Sequence, residues 1–202
     1  MTKEVTKCKS IYAALIFGIF LMLSCDTQKP SSAIPFHVCK QYGAPVSYGE
    51  GYHPGIDFEI IQGTPIIAAT EGEVSFVGDS DPEVSLSGGI FVRVQNAQHF
   101  DLIYGHLSKV YVEKGQLLKR GQLIGISGAS NDGLPFLHFG IYKVGGGSQK
   151  YSQTYDPQKF WLAGRPKCFD PDEDYSKYSP EGITIPIACR AYAKELITAA
   201  EE

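Results

Sequence analysis

The sequence predicts a mainly β protein with antiparallel pairing, on three observations. Seven apolar runs of five or six residues follow one another: 56–61, 65–69, 73–77, 90–94, 100–104, 122–126 and 137–142. Val, Ile, Phe and Tyr dominate them, and those are the residues that pack well on a pleated surface. Turn signals interrupt the runs at short spacing, as the 22 Gly and 12 Pro among 202 residues allow. Short strands separated by tight turns are the pattern of hairpins rather than of helix-linked parallel strands.

Ahead of these strands comes a segment that reads as targeting rather than fold. Lys3, Lys7 and Lys9 form a basic start, and Ile11 to Leu23 is an almost uninterrupted apolar stretch. That length suits an export signal and is too short for a stable membrane span. Ser24-Cys25 and the polar run Asp26 to Pro30 follow, and this arrangement resembles the lipobox of bacterial lipoproteins. The resemblance implies a signal peptide over residues 1–24 and lipidation at Cys25, with residues 25–40 as a tether to the membrane. An ordinary cleaved signal, or an uncleaved anchor with Cys25 incidental, is the alternative. Losing residues 1–24 removes three Lys and one Glu, which takes the net charge from −4 to −6.

Residues 36–52 show no clear period and read as loop with at most one short strand. The seven strands come next, with a polar loop over Asp79 to Gly89. Gly145-Gly146-Gly147-Ser148 closes the core domain, which spans 41–147. Beyond it, 148–202 is an extension rich in Tyr, Pro and Asp, expected to be a disulfide-pinned strap over the domain, with one short helix over 188–200. The extension carries Cys168 and Cys189. In an oxidising compartment their pairing would close a loop of about twenty residues, worth ~3 kcal/mol in the chain-entropy model. Cys39 is the competing partner for either. The acidic balance and the absence of a Lys/Arg run in the body argue against a nucleic-acid partner. No two cysteines lie close enough for a cysteine-based metal site.

Three histidine-bearing segments carry candidate chemistry. His53 and Asp57 lie four apart across Pro54-Gly55, a pair that breaks helices, so a turn feeding a strand is expected. His106 is expected just after the strand 100–104, and His138 lies on the strand 137–142. Side chains alternate along a strand, so Phe136 is expected to face the same way as His138. An N,N,O donor set leaves the fourth tetrahedral position of Zn²⁺ open, as catalytic rather than structural zinc requires. His99 reads as a solvated turn residue, and His37 has no evident partner. The turns around Gly115 and Gly121 resemble those of biotinyl carriers, but no carrier lysine is displayed.

The ordered series Gly-Tyr-His-Pro-Gly-Ile-Asp-Phe, Gly-Thr-Pro-Ile-Ile-Ala-Ala-Thr-Glu-Gly-Glu-Val, Tyr-Gly-His-Leu-Ser, Val-Glu-Lys-Gly-Gln-Leu-Leu-Lys-Arg-Gly-Gln-Leu-Ile-Gly and Leu-His-Phe closely resembles the lysostaphin/LytM-like zinc metallopeptidases over residues ~45–145. The resemblance implies a compact antiparallel β-sheet or sandwich with zinc at the floor of a peptide groove. It implies His53, Asp57 and His138 as zinc ligands and His106 as a catalytic residue. The implied reaction is hydrolysis of peptidoglycan peptides at the cell envelope, from a membrane-anchored chain. The departure is Phe136, which stands where the family has the first His of His-x-His. Tyr48, Tyr52, Tyr104, Asn131 and Asp132 are the residues placed to substitute for it. The reading leans to a zinc endopeptidase. Its alternatives are a catalytically impaired domain that regulates another cell-wall hydrolase, and a zinc-stabilised structural domain.

Overall fold

The ladder of strand pairs decides which side chains meet. In the computed structural model, residues 36–79, 88–144, 153–189, 192–193 and 196 are described. Among the described residues ten strands form: β1 (His37–Lys40), β2 (Gly55–Glu59), β3 (Pro65–Ile67), β4 (Gly72–Gly78), β5 (Ile90–Gln95), β6 (Phe100–Val110), β7 (Leu117–Leu118), β8 (Leu123–Ser127), β9 (Phe136–Lys143) and β10 (Thr154–Tyr155). Their main order is β1-β2-β9-β6-β5-β4-β7, with β10 beside β9 and the β3–β8 pair attached through β6. Every pairing of these strands is antiparallel.

All seven apolar runs contain a strand, and β1, β7 and β10 are additional. Residues 37–40, assigned to the tether from sequence, are a strand paired to β2. The tether expectation counted polarity, whereas β1 is held by ladder hydrogen bonds that polarity does not report. Cys25, the apolar stretch 11–23, the glycine run at 145–148 and most of the 79–89 loop lie outside the described residues. So does most of the expected helix over 188–200, of which Tyr192, Ala193 and Leu196 are helical. Among the described residues no helix is long and apolar enough to cross a membrane.

The period-two alternation separates two faces. Ile56 and Phe58 of β2, Leu137, Phe139 and Ile141 of β9, and Leu102 and Tyr104 of β6 are buried in one core. The intervening residues Gly55, Asp57, Phe136, His138 and Gly105 therefore line the opposite face. Farther along β6 and β9, that second face carries a small cluster of Ile103, Tyr142 and Phe91. The candidate site thus sits on the side of the sheet away from the main core.

The extension does more than strap over the domain. Ile183, Ile185 and Ile187 are buried in the main core with Trp161. Ile67 N–H donates to Pro186 O, Thr184 N–H to Ala69 O, and Ala188 N–H to Pro65 O. These bonds cover the edge of β3 that faces away from β8, which would otherwise present unpaired backbone. The Arg120 guanidinium donates to Ala69 O at 2.6 Å and to Gly182 O at 2.9 Å, tying the β7–β8 turn to the same segment. A disulfide joins Cys168 to Cys189, with Cα atoms 6.0 Å apart, and Cys39 is free.

Ile185→Ala should therefore cost about 2–5 kcal/mol of unfolding free energy, because it empties a fully buried site. Urea unfolding measures it. A cost below about 0.5 kcal/mol, the range of surface substitutions, would mean that the extension merely lies on the surface.

Candidate metal centre

Strand register brings the candidate residues together. Asp57 on β2 is paired with His138 on β9, and His138 is paired with Gly105 on β6. His53 reaches them from the turn before β2, where Pro54 cannot continue a helix. His53, Asp57 and His138 are all buried. His138 Nδ1 lies 2.8 Å from Asp57 Oδ1, His53 Nε2 lies 3.1 Å from the same oxygen, and the two ring nitrogens are 3.2 Å apart. The crowding in and beside this triangle needs glycine at two positions. A Cβ on Gly55 would meet the His138 ring at 2.8 Å, and one on Gly105 would meet the Phe91 ring at 2.6 Å.

The proton count says what the triangle lacks. His53 Nδ1 faces Gln41 O at 3.1 Å, and a carbonyl only accepts, so Nδ1 carries the hydrogen. Nε2 is then the ring atom aimed at a carboxylate oxygen and at a second imidazole nitrogen. Asp57 is ionised: burial opposes its charge, but the two imidazoles beside it, His138 first, outweigh burial and hold it well below the usual carboxylate range. Burial pushes His138 toward its neutral form, against the pull of Asp57. His138 Nε2 is buried without a hydrogen-bond partner among the described residues, so the contact that can hold a ring hydrogen is Nδ1 toward Asp57 Oδ1. Two imidazole nitrogens and one carboxylate oxygen converge on a point that one small cation could occupy in place of that hydrogen.

The donor set and spacing fit zinc. Ligands at about 2.0–2.1 Å in a tetrahedron lie about 3.3 Å apart, within roughly half an ångström of all three observed edges. The carbonyl on the far nitrogen of His53 is the outer-shell partner that ligating histidines usually have. Asp57 Oδ2 points elsewhere, 3.7 Å from Lys40 Nζ.

His106 was expected just after a strand, but β6 runs on through it to Val110. Its φ is 63°, a left-handed conformation uncommon outside glycine. The β5–β6 register explains this: Val92 pairs with Tyr104 and Ile90 with Leu107, so two residues of β6 oppose one of β5. Such a bulge re-aims a side chain. Here it also marks where β6 leaves β9 and takes β8 as its partner. His106 Nδ1 donates to Gly88 O at 2.7 Å, which leaves a lone pair on Nε2. Burial, helped by nearby His138, lowers the His106 pKa to about 4, so the ring is neutral at pH 7.

Phe136 is half-buried on the same face as His138, with its ring 4.5 Å from that of His106. Phe91 packs on His106 at 5.5 Å. Of the residues considered as substitutes, Tyr104 is excluded. It is fully buried on the core face and accepts a hydrogen bond from Ala69 N–H. Tyr48 and Tyr52 are exposed, and the Tyr48 phenol is pushed up by partial burial and by the charge of Asp57. The backbone of Asn131 packs close to Gly88. His99 is an exposed turn residue, and His37 is exposed on β1. Sequence reasoning missed Lys40, Gln41 and Gly88. Two of these act through backbone carbonyls, which leave no side-chain signal.

Residues 51–154, just over half of the chain, match the model of Peptidase family M23, and the chain belongs to that family. The catalytic domain of the antimicrobial peptidase lysostaphin from Staphylococcus simulans superposes with a TM-score of 0.53 at 31% identity, over 62% of this chain and 91% of that domain. The fold is therefore the mostly antiparallel one of lysostaphin-like peptidases. The lipoprotein YgeR of Escherichia coli, itself uncharacterized, is 31% identical over 128 residues, covering 61% of this chain and 46% of YgeR. The peptidoglycan DD-endopeptidase ShyA of Vibrio cholerae is 36% identical over 98 residues, 47% of this chain and 21% of ShyA. The chain thus spans less than half the length of either of these relatives.

A pH prediction follows from His106 in protein stripped of metal by a chelator. Its folded pKa of about 4 lies below the ordinary 6.5, so between those values the unfolded chain binds more protons. The stability tied to a neutral His106 is complete above pH 6.5 and disappears as pH falls through about 4. That amounts to as much as about 3 kcal/mol from this group. Urea midpoints of the apoprotein should fall over this window, and His106→Asn, which tolerates the left-handed backbone, should flatten the fall. An equal fall in both proteins would contradict a neutral His106.

Proposed function

We propose that this protein is an exported, lipid-anchored zinc metalloendopeptidase of the bacterial envelope that hydrolyses the peptide cross-links of peptidoglycan. One observation carries the reading: three donor atoms converge beside a histidine whose Nε2 lone pair is left free. Family membership and the peptidoglycan endopeptidase ShyA support the reaction class. The signal-like N-terminus with Cys25, and the likeness to the lipoprotein YgeR, support the compartment.

His53 Nε2, Asp57 Oδ1 and His138 Nδ1 would hold the zinc. When bound, the ion supplies Lewis acidity that makes water a nucleophile at neutral pH and polarises a carbonyl. The other work falls to the protein. His106, neutral and with Nδ1 bonded to Gly88 O, takes the proton of the attacking water at Nε2 and can return it to the leaving amine. Phe91 and Phe136 fix the plane of its ring. Phe136 can neither take a proton nor donate to the developing oxyanion. A positioned acid–base group is worth about 10²–10⁴ in rate, and an oxyanion donor about 10²–10³. Peptide hydrolysis therefore proceeds on half of the histidine pair.

Phe136 also supports a second reading, in which the domain binds zinc without turnover and docks on another cell-wall hydrolase to regulate it. Digestion of purified peptidoglycan separates the two. The enzyme reading expects measurable release of peptide fragments by the wild type, a loss of about 10²–10⁴ in His106→Ala, and a gain in Phe136→His. No release by the wild type alongside release by Phe136→His would sink the enzyme and leave the regulator.

A further inference from the structure

The strand ahead of the family match contributes a cation to the metal centre. β1 pairs Val38 with Phe58 but Lys40 with Asp57, so Cys39 is an extra residue in the ladder. In an unbroken ladder Cys39 would oppose Asp57, and Lys40 would oppose Ile56, whose side chain is in the core. The bulge at Cys39 corrects this and turns Lys40 onto the face that carries Asp57. A bulge beside a functional site commonly serves to re-aim a side chain in this way.

The consequence is a divided carboxylate. Asp57 Oδ1 meets His138 Nδ1 and His53 Nε2, while Lys40 Nζ stands 3.7 Å from Oδ2. We propose that Lys40 is a positioning residue of the metal centre: its ammonium holds Asp57 Oδ2 aside, so that Asp57 offers one oxygen and a coordination position stays open. The inference rests on the zinc reading above and goes beyond its donor set. A carboxylate can ligate through one oxygen or both, and a bidentate Asp57 would fill the position that catalysis needs. The Lys40 side chain is 39% exposed, so its ion pair adds little to fold stability. Its effect belongs to coordination geometry instead. Its charge also reaches His138 and His106, where it opposes protonation.

The test uses the purified full chain loaded with Co²⁺, whose visible absorption is strong with four ligands and weak with five or six. Wild type should give the strong spectrum. Lys40→Met should lose intensity several-fold as Asp57 turns bidentate, and Lys40→Arg, which keeps the cation, should restore it. An unchanged Lys40→Met spectrum would overturn the proposal, even if its cobalt affinity rises from loss of a positive charge. A wild type that takes up no cobalt would instead bring down the metal site itself, and this inference with it.

Discussion

An ionised carboxylate oxygen and two imidazole nitrogens packed into one small buried triangle form a donor set that a small cation can bind through all three atoms at once. Asp57 Oδ1, His53 Nε2 and His138 Nδ1 stand 2.8–3.2 Å apart in a buried place, and the proton on His53 is already committed to Gln41 O. The surrounding fold can be read as the means of forcing this arrangement. The β2–β9 register sets Asp57 against His138. Gly55 clears room for the His138 ring and Gly105 for the Phe91 ring, and the main core on the reverse face fixes both strands in place.

The catalytic side of the site depends on a second constraint, the bulge in β6. It turns His106 toward the triangle at the cost of a left-handed backbone, of order 1–3 kcal/mol. The aromatic rings of Phe91 and Phe136 then bury it, which keeps it neutral at the pH where a base is needed. Phe136 therefore has two opposite effects. It removes one acid–base group, and it helps to hold the one that remains.

Much of this was legible in the sequence because alternation and turn chemistry are local. The strand runs and the shared orientation of Phe136 and His138 follow from a period of two. The proximity of His53, Asp57, His106 and His138 is different, since it depends on pairing between distant strands. It was reached only through the order of whole motifs. What stayed hidden was non-local: β1 looked like tether, the extension looked like a strap, and the bulges at Cys39 and His106 follow from register rather than composition. Ile183, Ile185 and Ile187 show the difficulty. Their alternation was present in the sequence, but only the free edge of β3 shows why it is there.

The most direct measurement of the central claim is native mass spectrometry of the purified protein equilibrated with zinc, beside Asp57→Ala. The account predicts one zinc per wild-type chain and none retained by Asp57→Ala, with both folded by circular dichroism. A wild type without zinc, or an Asp57→Ala variant that holds it equally well, would contradict the account.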